Sequence, residues 1–414
     1  MKLLPVIDDH QHSIAVHVGW NLLTAFMFLN AMIATGQVFH PKAGVSPWNE
    51  HPELFTIPEV TWIDSVGPDY SLLYASAPYK GNQAKVFAYY SVPANVSGKV
   101  PAMVLVHGGG GKAFQNWAQQ WAGYGYAAIS MNLNGEDNDH HLIGCPRDDK
   151  HFNIEELKLT DSWFYQAVAA IVRSVSFLES RTEIDKERIG IMGISWGGYH
   201  TSAVVGIDKR LSAAMIVYGC GGLHENSVWK REGETFNNAY KYQLDPANFL
   251  PHATLPILWL SNNTDHFFPL DSHQTSRKAT QGKGYARIKD DYSHGYQAPW
   301  ETEEIRQFAD AFLRNGDPWP EIISSGKKKN SIRTKTSQKL EKAWLVYTRE
   351  PDWMYKSVRT DGKDVWMQKG ALIDKTRKKV IGEIPEKAVA AYLHMKDDKG
   401  REFSTDYFIH KNKK

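Results

Sequence analysis

From about residue 84 the chain settles into short apolar runs alternating with amphipathic stretches. Apolar runs bounded by turn signals predict strands over 85–91, 102–107, 127–131, 188–194, 213–218, 256–261 and 285–289. Between them, helical spacing predicts helices over 114–122, 160–180, 198–205, 272–280 and 301–313. In the longest of these, Trp163, Phe164, Ala167, Ile171, Val175 and Leu178 fall on one face. Strands alternating with helices in this way predict an α/β fold, a mostly parallel sheet with helices on both faces. Ligands of such sheets bind beyond the carboxyl ends of the strands.

After Pro318 the pattern changes. Residues 324–341 are polar, basic and short of large apolar groups, which predicts a linker over 319–341. Strand-like runs follow over 343–349, 379–384, 388–394 and 402–408, separated by turn signals such as Asp397-Asp398-Lys399-Gly400. They predict a small β-sandwich over 342–414, appended to a catalytic domain over 37–318. At the other end, the apolar run 20–34 is shorter than the roughly 20 residues of a bilayer span and is followed by Thr35-Gly36-Gln37. This pattern predicts a signal peptide over 1–36, export to the periplasm or beyond, and no stable membrane insertion. Lys2 is the only Lys or Arg before the run, and Asp8 and Asp9 also precede it, so a buried N-terminal helix is the competing reading.

Composition narrows the function classes. Over 414 residues, 48 Lys and Arg face 46 Asp and Glu, so no global field draws in nucleic acid. The short basic runs at Lys327-Lys328-Lys329 and at Lys411, Lys413 and Lys414 read as solvated linker and tail. Cys145 and Cys220 have no CxxC partner and allow at most one bridge, two free thiols being the simpler reading. His10, His12, His17 and the pair His140-His141 fit no metal-binding motif, and no cofactor is expected. The 14 Trp are more suggestive, because aromatic faces hold sugar rings as well as filling cores. Trp117, Trp121, Trp229 and Trp300 are candidates for a sugar cleft, although the i, i+4 spacing of Trp117 and Trp121 favours packing.

The chemistry centres on Gly193-Ile194-Ser195-Trp196-Gly197-Gly198, which follows a strand and opens a helix. GxSxG alone is a weak signal, but a nucleophile on a tight strand–turn–helix needs flanking glycines, and this context makes Ser195 the candidate nucleophile. Upstream, a strand ends in His107-Gly108-Gly109-Gly110-Gly111. A glycine-rich loop there can aim backbone amides at an oxyanion, Gly109 or Gly110 supplying one donor and Trp196 the other. The rival phosphate-loop reading lacks the Lys-Ser or Lys-Thr that such a loop requires, since Ala113 follows Lys112. A serine needs a base and the base an orienting carboxylate. Asp265 follows strand 256–261 and His294 follows strand 285–289, in the chain order this fold uses. Glu225 is the alternate acid. Asp271, Asp290 and Asp291 read as solvated carboxylates, and His266 and His273 as surface histidines.

The runs HGGGGKAFQNW, DKERIGIMGISWGGY, NTDHFFP and SHGY resemble the acetylxylan esterase, dienelactone hydrolase and prolyl oligopeptidase-like branches of the α/β-hydrolases, over roughly residues 80–315. The resemblance implies that fold, Ser195, Asp265 and His294 as a triad, and hydrolysis of an ester. Dienelactone hydrolases proper use cysteine where this chain has Ser195. The expected substrate is a small ester or an acetylated carbohydrate. Two alternatives remain. A prolyl oligopeptidase-like peptidase usually carries a large N-terminal propeller, for which the residues before 84 leave no room. A non-catalytic binding protein on a hydrolase scaffold usually lacks a triad member. The segment 218–255 holds no long apolar lid; His224, Glu225, Asn226, Trp229, Lys230, Arg231 and Glu232 make it polar and aromatic.

Overall fold

The computed structural model describes Trp48 and residues 51–410, apart from 67, 95–96, 148–151, 155, 291, 357–361 and 377. The apolar run 20–34, the N-terminal histidines and Lys411, Lys413 and Lys414 lie outside these residues.

β1 (Val60–Val66), β2 (Asp69–Ala75) and β3 (Lys85–Ser91) form an antiparallel meander that joins β5 (Ala127–Met131), also antiparallel. From there the sheet is parallel: β5, β4 (Val100–Val106), β6 (Ile184–Ile194), β7 (Ala213–Val217), β8 (Ile257–Asn262) and β9 (Gly284–Lys289), in that spatial order. β4, β5, β7 and β8 are buried at every position, as strands covered on both faces must be, and this explains their mainly apolar sequences. Five helices pack on them: α1 (Gln115–Gly123), α2 (Trp163–Ser180), α3 (Trp196–Ile207), α4 (Leu270–Ala279) and α5 (Glu303–Leu313). Ser162 starts α2 by accepting the Tyr165 amide at 3.3 Å, and no Gly or Pro interrupts the 18 residues that follow. β1 escapes the sequence pattern because Thr61, Trp62, Ile63 and Asp64 are exposed at the sheet's edge and show no clear alternation.

Beyond Pro318 the structure departs from the linker expectation. Residues 319–341 carry β10 (Ile322–Lys328) and β11 (Ser331–Thr336), which pair with each other. With β14 (Leu372–Asp374) and β15 (Lys379–Glu383) they make a second sheet. Only alternate residues of β11 face inwards after Ser331, namely Ile332, Thr334 and Thr336, so a one-sided strand of Thr and Lys imitates a linker in composition. β12 (Leu340–Thr348), β13 (Trp366–Gly370), β16 (Ala390–Asp397), β17 (Glu402–Ser404) and β18 (Phe408–Ile409) extend the main sheet, where β17 meets β9 at Ser404 and Ala286. The two sheets close on Ile332, Leu345, Val380, Leu393, Met395 and Phe403, the expected sandwich. A further cluster crosses the junction, packing Leu270 and Ile288 against Val346, Trp353, Trp366 and Tyr392. Arg287, buried there, pairs with Glu304 at 2.8 Å and Glu402 at 2.5 Å.

Candidate active site

β6 runs into Ser195, and α3 begins with the next residue. Ser195 sits at φ 59° and ψ −123°, a region that side chains make costly. The turn that enforces this is closed by Gly197, where a Cβ would lie 2.2 Å from the Val106 carbonyl oxygen. The Ser195 amide donates to Val217 O at 2.9 Å, fixing the turn to β7.

The loops after β8 and β9 bring the two partners. His294 Nε2 is 2.8 Å from Ser195 Oγ, and His294 Nδ1 is 2.7 Å from Asp265 Oδ2. The other carboxylate oxygen of Asp265 accepts the amides of Phe267 at 2.9 Å and Phe268 at 3.1 Å, so the buried side chain is satisfied from both sides. Tyr218 holds the imidazole face. Its ring centroid lies 4.6 Å from that of His294, and its hydroxyl donates to Ser293 O at 2.8 Å. Its φ of 58° marks a constrained backbone. No local pattern singles out Tyr218, which follows β7 directly.

The glycine loop is organised by His107, buried at the end of β4. Its Nε2 accepts the Leu133 amide at 2.9 Å, which leaves Nδ1–H to donate to Gly108 O at 2.7 Å. Burial pushes its pKa down to about 4, so the ring is neutral at neutral pH, as this pair of bonds requires. Gly108 O also accepts from the Gly111 amide at 3.0 Å, and Arg147 Nη1 donates to Gly109 O at 2.5 Å. In a trans peptide, C=O and N–H point opposite ways, so pinning these two carbonyls turns the amides of Gly109 and Gly110 away from them. Gly109 lies against the nucleophile turn, where a Cβ would come within 2.5 Å of Trp196 Cδ1. A Cβ on Gly110 would meet nothing within 4 Å. Gly110 and Gly111 border a hollow of about 320 Å³ lined by Asn132, Asn134, Glu136 and Asp137.

Glu225, the alternate acid, is 75% exposed, and its nearest basic partner is His224 at 3.9 Å, so the structure brings Asp265 to the histidine and leaves Glu225 outside. Two histidine and carboxylate readings are corrected. His273 is buried on the Trp259 ring, and burial lowers its pKa to about 3. Asp290 is no solvated group, since three side chains hold it. His140 and His141 pair with Glu136 and Asp137, each at 3.0 Å. Cys145 and Cys220 are both buried and are not bridged to each other. Of the four tryptophans proposed for a cleft, Trp117 and Trp121 are buried, and Trp117 stacks on Trp300 at 4.5 Å. Trp229 is half-buried over the site, 5.0 Å from Trp196 and 5.7 Å from Phe268. Phe268 in turn lies parallel to His294 at 6.0 Å.

A mostly parallel sheet entered by an antiparallel meander, with a strained serine where a central strand meets a helix, is the architecture of the α/β-hydrolases, and the chain has that fold. Within that class, residues 66–221 match the family model described as acetyl xylan esterase. A Salmonella typhi protein provisionally named carboxymethylenebutenolidase is 27% identical over 233 residues, 54% of this chain and 77% of the relative. An Escherichia coli K12 protein of the same provisional name is 27% identical over 235 residues, 55% of this chain and 78% of its own. Among solved structures, the acetyl xylan esterase from Paenibacillus sp. R4 matches with a TM-score of 0.51 at 19% identity, covering 64% of this chain and 93% of that one. Acetyl xylan esterase 1 from Thermoanaerobacterium sp. JW/SL YS485 gives 0.50 at 16% identity, over 63% and 91%. At these identities the structural likeness establishes the fold. No helix among the described residues is long and apolar enough to cross a membrane.

Proposed function

We propose that the chain is a serine carboxylic-ester hydrolase that removes small acyl groups, acetyl foremost, from carbohydrate. The observation that carries this reading is the continuous line of hydrogen bonds from Ser195 Oγ through His294 to Asp265. In this mechanism Ser195 Oγ attacks the ester carbonyl carbon while its proton passes to His294 Nε2. Asp265 faces the resulting imidazolium and keeps Nδ1–H pointed at itself. The oxyanion takes hydrogen bonds from the Trp196 amide and from Gly109 or Gly110, donors already oriented before the reaction begins. Collapse expels the sugar alcohol, which leaves with the proton from His294. Water then attacks the acyl-enzyme, gives its proton to His294 and releases the carboxylic acid, and Ser195 regains its hydrogen.

The short-acyl preference draws on Trp196, Trp229, Phe267 and Phe268, bulky rings around the serine and histidine. The carbohydrate preference draws on the amide- and carboxylate-lined hollow beside Gly110, on Trp229, and on the family match. Initial rates on 4-nitrophenyl esters should peak at two to four carbons, a number read from the expected acyl size, about 10-fold or more above octanoate. Acetate should be released from acetylated xylan. A maximum at eight carbons or beyond would refute the short-acyl claim, and fast hydrolysis with no acetate released from any acetylated glycan would remove the carbohydrate.

A further inference from the structure

The loops that carry Asp265 and His294 are held from behind by the β-rich region. Asn263 and Asp290 stand where β8 and β9 give way to these loops. On the Asp265 side, Trp366 Nε1 of β13 donates to Asn263 O at 3.1 Å. On the His294 side, Tyr392 of β16 donates its hydroxyl to Asp290 Oδ1 at 2.7 Å, and Gln368 Nε2 of β13 donates to Asp290 Oδ2 at 2.6 Å. Asn263 ties the two together, because its Nδ2 donates to Asp290 Oδ1 and lies 3.2 Å from the Tyr392 hydroxyl. Asn262 adds a cross-brace: its Nδ2 donates to Tyr292 O at 2.5 Å, and its Oδ1 accepts the Thr264 amide at 2.7 Å.

Trp366 and Tyr392 are themselves fixed. Both are buried, their ring centroids are 5.4 Å apart, and they belong to the cluster that includes Leu270 and Ile288. These struts join the buried cluster at the junction of the two regions to a backbone carbonyl and a carboxylate beside the acid and the base. Losing one leaves a buried acceptor with fewer donors, and the loop above it relaxes. Displacements on the order of 1 Å at reacting groups can cost about 100-fold in rate.

We propose that Trp366 and Tyr392 are positioning residues for the Asp265–His294 pair, so that the β-rich region completes the active site. The inference rests on the ester-hydrolase reading. It is tested on the full chain with Trp366→Phe, which keeps an aromatic ring and removes the N–H donor. kcat and KM for 4-nitrophenyl acetate are measured for Trp366→Phe, Asp265→Asn and the double variant, with Tm alongside. The expected result is a fall in kcat of about 10-fold at unchanged KM for Trp366→Phe, the rate equivalent of one lost hydrogen bond. In the Asp265→Asn background the same change should cost less than about 2-fold, since the orienting carboxylate is already gone. An unchanged kcat, or an equal fall in both backgrounds, would overturn the positioning role while leaving the esterase intact. Full activity in Asp265→Asn itself would remove Asp265 as the acid and this inference with it, whereas no hydrolysis of 4-nitrophenyl acetate by the parent chain would overturn the ester-hydrolase reading. Should Trp366→Phe fail to fold, Tyr392→Phe is judged on the same split of kcat from KM.

Discussion

At the scale of single residues, the proposed roles separate by how much each removal costs. Ser195→Ala should abolish turnover, and His294→Ala should lower kcat by several orders of magnitude, because a neutral hydroxyl is a poor nucleophile without its base. Asp265→Asn should lose less, about 10⁴-fold, since the imidazole remains but its tautomer is no longer set. Glu225→Gln should leave kcat within about 2-fold, given that exposed surface positions away from such features tolerate substitution. Steady-state rates on 4-nitrophenyl acetate decide the ranking, and a larger loss at Glu225 than at Asp265 would reassign the acid. In the glycine loop, Gly109→Ala should cost about 100-fold or more, because its Cβ would collide with Trp196 and shift an oxyanion donor. Gly110→Ala, whose Cβ meets open space, should be the milder change. Ser195, Asp265 and His294 were legible in the sequence because strand context and chain order single them out. The parts played by Tyr218 and Arg147 depend on which loops meet in space, and no local pattern encodes that.

At the scale of elements, the strands buried on both faces were legible as apolar runs, and α2 as a long periodic stretch. What the pattern concealed are elements with one wet face. β10 and β11 carry Lys327, Lys328, Arg333 and Lys335, residues that also make up linkers, and only the burial of Ile332, Thr334 and Thr336 distinguishes them. His107, at the end of β4, gives an element-level prediction. Its folded pKa of about 4 lies below the ordinary 6.5, so between those values the unfolded chain binds a proton that the folded chain refuses. The stability it confers is fully present above pH 6.5 and is lost as the pH falls towards 4. His273, lowered to about 3 by burial, acts in the same direction. Moving from pH 7.5 to 5 should cost about 2 kcal/mol for each buried histidine. Urea unfolding at the two pH values checks this, and His107→Gln should give a shallower dependence than the parent. An unchanged pH dependence would contradict the neutral, buried His107.

At the scale of the whole molecule, the β-rich region is joined to the hydrolase sheet at β9, through the core around Ile288 and through the Arg287 ion pairs. A chain ending at residue 318 would uncover the β9 edge, Leu270 and Ile288, and strip Glu402 from a buried guanidinium, so it should aggregate or show no cooperative thermal transition. A soluble, active fragment would show that the two parts are separable. The proposed role of Ser195 as the nucleophile of an ester hydrolase is tested most directly by intact-mass and peptide mapping after exposure to a fluorophosphonate. One adduct per chain is expected, located on Ser195, absent from Ser195→Ala, and formed in step with the loss of 4-nitrophenyl acetate hydrolysis. Hydrolysis that persists without an adduct, or an adduct on another residue that accounts for the lost activity, would contradict it.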